Sequence, residues 1–143
     1  MELSRRECLT LLSTRPFGRI VYTASGLPAV VPVNFLVEHA ERDEDLLVCT
    51  VRADWLLAPI NHAVVGLQAD ELDRGMDGGW WVTVVGRAEP VEDRLEAAAL
   101  RADPRWPRTI DDSEAIVRLR PGLTSGRRLG LEKQNGARRE AEG

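Results

Sequence analysis

A chain of 143 residues, 43% apolar and 29% charged, has the length of one domain and the composition of a globular protein. Its net charge of −4 argues against a general nucleic-acid binder, and it lacks the run of about 18 apolar residues that a membrane-spanning helix needs. The N-terminus has no long apolar stretch of the secretory kind, so the expected compartment is the cytoplasm.

The first predicted element is a short helix that begins after Ser4 and ends before Pro16. Ser4 and Glu7 have the spacing of a capping box, in which each side chain bonds the other residue's amide. Six strands follow, over residues 17–23, 29–37, 46–51, 63–69, 80–91 and 114–120. A short helix or turn is predicted over 54–58, and a late helix over the alanine-rich residues 94–101.

The second of these strands has the clearest alternation in the chain. Val31, Val33, Phe35 and Val37 fall on one face, and Pro32 falls on the other. Because proline cannot donate to a sheet, Pro32 predicts a bulge or an unpaired edge at this point.

The order of elements predicts a mainly β fold. Strands do not alternate with helices, which excludes a doubly wound parallel sheet. Six antiparallel strands avoid open edges by closing into a barrel, here with one leading helix and one late helix. Gly86 interrupts the fifth strand, as at a bulge or a barrel bend. We expect one domain over residues 1–130 and a polar, disordered tail over residues 131–143.

Several kinds of site are disfavoured by the residues present. His39, His62, Cys8 and Cys49 do not have the spacing of metal ligands, so no metal site is predicted. Lys133, the only lysine, lies in the polar tail, which argues against a Schiff base to a pyridoxal cofactor. The chain also has no Gly-x-Ser-x-Gly motif for hydrolase chemistry.

Trp80 and Trp81 are adjacent on a predicted strand, so their side chains must point to opposite faces. One indole can fill the barrel. The other needs a groove, a partner subunit or a planar ligand, and the sequence leaves a subunit contact and ligand stacking both open.

Several segments, in the same order along the chain, resemble the FMN-binding split barrels of the pyridoxamine 5′-phosphate oxidase-like family, especially its short actinobacterial-type members. The segments are 15–20 (RPFGRI), 28–35 (PAVVPVNF), 49–50 (CT), 68–70 (QAD), 79–82 (GWWV), 85–88 (VGRA) and 126–129 (GRRL). No single segment is specific, but the ordered set is distinctive over about residues 5–130.

The resemblance implies a six-stranded antiparallel split β-barrel that forms a homodimer, with two flavin sites at the subunit interface and FMN as the cofactor. The strand around Val33, Asn34 and Phe35 would then lie along the isoalloxazine ring, largely through backbone groups. Thr50 and Arg52 would approach the ribityl phosphate. The remaining candidates for cofactor binding, which would close the site from the same or the second subunit, are Trp80 and Arg127.

The sequence departs from the family where the phosphate is usually bound. Members of the family have lysine, or arginine and lysine, in the turn after the Thr50 position, whereas this chain has Trp55 and Leu56. Charge-assisted donors are the strongest phosphate contacts, so Arg52, or Arg127 or Arg128 from further along the chain, would have to replace them.

Three functions remain open from the sequence. The first is an FMN-dependent oxidoreductase or flavin reductase that acts on a small or cofactor-like substrate, with a deazaflavin as a possible replacement for FMN. The second is a degenerate split barrel without the cofactor that serves as a dimeric binding or regulatory module. The third is an unrelated small β-barrel that uses its basic C-terminal residues on a nucleic acid. Pyridoxamine-phosphate oxidation itself is not expected, because the chain shows no second set of basic residues for the substrate phosphate.

Overall fold

The computed structural model describes residues 1–39 and 45–130. The predicted tail, 131–143, lies outside the described residues, as do residues 40–44 of the predicted loop between the second and third strands. Within the described ranges, no helix combines the length and the apolar character required to cross a membrane.

The described chain contains three helices and seven strands. In chain order they are α1 (Arg5–Leu12), β1 (Phe17–Ala24), β2 (Leu27–His39), β3 (Asp45–Arg52), α2 (Leu57–Ile60), β4 (Val64–Leu72), β5 (Gly79–Pro90), α3 (Arg94–Arg101), β6 (Glu114–Leu119) and β7 (Leu123–Leu129).

Six strands close into a ring in the order β1-β2-β3-β6-β5-β4, and every neighbouring pair in it is antiparallel. These are the six strands predicted from the sequence, so the mainly β, six-stranded barrel with a leading and a late helix is confirmed. The sequence did not predict β7, which pairs with the first part of β5 outside the ring.

The barrel bends at Gly86, where β5 changes partners. Residues 79–87 of β5 pair with β4, and Ala88–Pro90 pair with β6. A Cβ atom at position 86 would lie 1.9 Å from the Arg120 carbonyl oxygen, so only glycine fits this crossing. The predicted interruption of the strand is therefore present.

The two halves of β2 have different neighbours. The paired half, Phe35–His39, is paired with β3 on one edge, and its other edge has no described strand because the pairing with β1 ends at Asn34. The open half, Leu27–Asn34, is paired with β1 on one edge and with no described strand on the other. Pro32 lies in the open half, which confirms the unpaired edge, and its pairing with β1 continues without a bulge.

The helices close the barrel and cover one side of it. Ser4 and Glu7 form the predicted capping box at the start of α1, with amide-to-side-chain distances of 3.2 and 3.1 Å. α3 has the predicted bounds and helps to cover a second apolar cluster outside the barrel, which contains Leu36, Val48 and Trp106.

The adjacent tryptophans point to opposite faces, as predicted. Trp80 is 4% exposed and belongs to the barrel core, whereas Trp81 is partly exposed on the outer face of β5. The indole that still has surface available is therefore that of Trp81.

Candidate functional site

A cleft of about 370 Å³ lies beside the open half of β2. Its walls come from the start of β1, the open half of β2, the end of β3 with the turn after it, and the segment that leads into β6. The lining residues are Phe17, Val31, Pro32, Val33, Asn34, Thr50, Arg52, Trp55, Leu56, Arg108 and Glu114. The cleft thus lies where the barrel has a free strand edge.

Four of the seven predicted site residues line this cleft, namely Val33, Asn34, Thr50 and Arg52. Val33 and Asn34 come from β2, and Thr50 and Arg52 come from β3. Because β3 pairs with β2 only from Phe35 onward, the end of β3 lies beside the open half without pairing to it, and the cleft lies there. The side chain of Val33 is also part of the barrel core, so it offers the cleft mainly its backbone.

The other three predicted residues lie elsewhere in the single chain. Phe35 and Trp80 are buried in the barrel core. Arg127 is exposed on β7 and pairs in register with Trp81 on β5. Contact of Trp80 or Arg127 with a site on a second subunit stays a prediction.

Asn34 connects β1 to the segment before β6 through hydrogen bonds. Its side-chain nitrogen donates to the Pro16 carbonyl over 2.9 Å, and its side-chain oxygen accepts from Arg108 Nε over 3.0 Å. The same Arg108 guanidinium donates two bonds to the Glu114 carboxylate, over 2.6 and 2.5 Å. These bonds, which include a bidentate ion pair, connect the end of the open half of β2 to the start of β6, where Glu114 pairs with Arg52 of β3.

The Glu114 carboxylate is buried and negatively charged. Hydrogen bonds from Arg108 hold the pKa of Glu114 below its usual value against the opposing effect of burial, and the same bonds raise the pKa of Arg108. Both groups are therefore charged at neutral pH. Glu114 is poorly suited to act as a general base, because its lone pairs are engaged by a guanidinium.

Thr50 places a polar atom in the cleft that lacks a partner. The residue is 2% exposed, and its Oγ1 has no hydrogen-bond partner among the described residues. It lies near enough to Glu114 to help keep the pKa of that carboxyl low, but it makes no bond of normal geometry. A buried hydroxyl without a partner is costly unless a ligand or water completes it.

The turn after β3 is fixed at both ends. The Leu56 amide donates to the Arg52 carbonyl over 3.0 Å, and the Ala53 amide donates to the Ser113 carbonyl over 3.0 Å. Leu56 is buried in the core, while Trp55 is 51% exposed at the mouth of the cleft. Arg52 reaches Asp54 over 3.6 Å, and both side chains are more than half exposed.

Sequence reasoning missed Arg108 and Glu114. Arg108 lies 74 residues from Asn34 and in a segment without regular structure, so nothing in its local sequence marks it. Glu114 was predicted only as the first residue of a strand. The one signal available in the sequence was an acidic residue at the start of a predicted strand.

The cleft offers a planar, polar ligand several contacts at once. One wall is a strand edge with unpaired backbone groups, a second presents the free Thr50 hydroxyl, and an exposed indole stands at the mouth. Pockets that bind cofactors typically combine an apolar lining with a few such polar groups.

Comparison with known proteins gives consistent results. The family model described as pyridoxamine 5′-phosphate oxidase matches residues 4–128. An uncharacterized protein of Mycobacterium tuberculosis is 32% identical over 131 residues, which are 90% of this chain and 85% of that protein.

Two solved structures are similar over nearly their whole length. An FAD binding protein from Mycobacterium smegmatis is 28% identical with a TM-score of 0.74, over 90% of this chain and 98% of that one. An FAD-binding protein from Mesorhizobium loti is 25% identical with a TM-score of 0.65, over 90% and 96%.

Proposed function

Because the chain belongs to the pyridoxamine 5′-phosphate oxidase family, we propose that it binds a flavin in the cleft beside β2 and acts as a flavin-dependent oxidoreductase or flavin reductase. Two similar proteins of known structure are described as FAD-binding, which supports a flavin as the ligand. FMN, predicted from the resemblance, and FAD carry the same isoalloxazine ring.

The observation that carries this proposal is the free edge of β2 beside an unpartnered hydroxyl. The open half has backbone donors and acceptors that no described strand uses, and Thr50, whose buried Oγ1 has no hydrogen-bond partner, lines the same cleft. A ring system with alternating donors and acceptors at its edge would satisfy both, and buried polar groups are normally satisfied.

The protein's own part in the reaction is to bind and orient the ring. A bound flavin supplies the electron-transfer chemistry. Val31 and Val33 provide an apolar strand along the cleft, and the Asn34–Arg108–Glu114 network connects the end of that strand to the start of β6. We assign no general base among these residues.

Visible absorption of the purified protein tests the proposal. The protein is measured before and after incubation with FMN, FAD and a deazaflavin, each followed by gel filtration. Flavin absorption bands that elute with the protein at a fixed stoichiometry would support it. A protein that retains none of the three would overturn it and favour the cofactor-free dimeric binding module instead.

We also propose that the chain is a homodimer that pairs through an apolar outer face of the barrel. Apolar side chains lie in adjacent register on four strands, since Val21 pairs with Val30 and, through Gly66, adjoins Val85 and Leu123. Val21, Val30 and Leu123 are exposed, and Val85 is partly exposed. Exposed apolar surface of this extent is typical of an interface between proteins. The face begins next to the cleft, so a partner seated there would adjoin the site.

Sedimentation equilibrium tests the dimer. Val21→Asp places a charge in the centre of the apolar outer face and is expected to give a monomer that remains folded by circular dichroism. Leu95→Asp, at an 84% exposed position on α3, is the matched control and is expected to remain dimeric. A wild-type monomer, or a Val21→Asp dimer, would contradict the proposed interface.

A further inference from the structure

Trp55 lines the cleft from a turn that is held in place. The turn is closed by the Leu56-to-Arg52 hydrogen bond and anchored by the buried Leu56 side chain, while 51% of Trp55 remains accessible. Tryptophan is highly buried on average, and its flat ring is well suited to stacking. The position is fixed, so little ordering would be needed to bind a ring there.

The charges at the cleft are unfavourable to a terminal phosphate. Both guanidinium groups that line it face a carboxylate, because Arg108 is paired with Glu114 and Arg52 with Asp54. Asp111 is also near enough to interact electrostatically with both arginines. A terminal phosphate monoester carries about two negative charges and needs charge-assisted donors that are free to bind it.

We infer that Trp55 forms a subsite for the purine base of a dinucleotide flavin, and that this protein therefore prefers a dinucleotide flavin to a mononucleotide flavin. The inference rests on the proposed function, since it concerns the same cleft. The two bridging phosphates of a dinucleotide together carry about the same charge as a terminal phosphate, but one charge lies on each, so no single group needs several cationic donors around it. Stacking of the base on the indole offsets the weak phosphate contacts, because every base has a π-face that an aromatic side chain can bind.

Calorimetric titration of the full chain with FAD and with FMN tests this subsite. Trp55→Ala is expected to weaken FAD binding about tenfold or more, the loss of one base–aromatic stack, and to change FMN binding by less than about twofold. Trp55→Phe keeps an aromatic face and is expected to retain most of the FAD affinity. Leu95→Ala, an exposed apolar residue away from the cleft, is the control for both ligands.

A gain-of-function variant sharpens the test. Trp55→Lys removes the stacking surface and adds a cation at the turn, so it is expected to shift the ratio of affinities toward FMN. Equal weakening of FAD and FMN by Trp55→Ala, or wild-type binding of FMN at least as tight as that of FAD, would overturn the subsite and leave the flavin proposal standing. A wild-type protein that binds neither ligand would overturn both.

Discussion

The two halves of β2 contain similar apolar residues, but they lie in different surroundings. In the paired half, Phe35, Leu36 and Val37 are all buried, because the barrel core covers one face and the second apolar cluster covers the other. Each half has one strand neighbour, but in the open half the free edge lies beside the cleft and the outer face is exposed. We therefore expect the paired half to determine stability and the open half to determine ligand binding.

The largest expected effect is in the paired half. Phe35→Ala removes a side chain that is 1% exposed in the barrel core, and is expected to lower the free energy of unfolding by about 3–5 kcal/mol. Pro32→Ala, at an exposed position of the open half, is the control and is expected to cost less than about 1 kcal/mol. Urea denaturation measures both, and equal costs would contradict the difference between the halves.

The next effect concerns the Asn34–Arg108–Glu114 network at the end of the open half. Arg108→Ala leaves the buried Glu114 carboxylate without its partner, and we expect a loss of about 2 kcal/mol, less than for a fully buried pair because Arg108 is half exposed. Arg74→Ala, in the exposed β4–β5 loop, serves as the control and is expected to change stability by no more than about 0.5 kcal/mol. Equal losses of unfolding free energy for Arg108→Ala and Arg74→Ala would mean that the network does not stabilise this part of the cleft.

The same ion pair predicts a pH dependence of stability. Glu114 has a lowered pKa in the folded protein, so its stabilising contribution is fully present above the unfolded pKa of about 4.3 and is lost as the pH falls through the folded pKa. Glu114→Gln removes this contribution. The difference in unfolding free energy between wild type and Glu114→Gln is expected to be constant near neutral pH and to shrink below about pH 4.3. A difference that grows in acid would contradict the lowered pKa of Glu114.

The smallest expected effect on stability is at Thr50. Thr50→Val replaces a hydroxyl that has no partner with a methyl group of similar shape, so we expect the flavin-free protein to be unchanged or stabilised by up to about 1 kcal/mol. Flavin binding is expected to weaken in the same variant. A clear loss of stability without loss of flavin affinity would show that the hydroxyl serves the fold and not the ligand.

Regular patterns made most of the fold predictable from the sequence. The alternation of Val31, Val33, Phe35 and Val37 identified β2 and its inward face, and the proline between them indicated the free edge. The capping box and the alanine-rich stretch placed α1 and α3. These signals are local, and each is a direct consequence of strand or helix periodicity.

What the sequence did not predict depends on contacts between distant residues. β7 (Leu123–Leu129) has a glycine and polar residues in its middle, so its pairing with β5 follows from the position of that strand and not from its own propensity. Arg108 reaches Asn34 from a segment without periodicity. Residues 40–44 and the predicted tail lie outside the described residues, so the expectations for them stay predictions.

Amide hydrogen exchange along β2, with and without saturating flavin, tests the central claim that the free edge of the open half binds the ring. We expect flavin to slow exchange of those amides within Leu27–Asn34 that face away from β1, and to leave exchange of the amides of Phe35–His39 unchanged. Bound flavin that protects amides elsewhere and leaves the open half as it was would contradict the account.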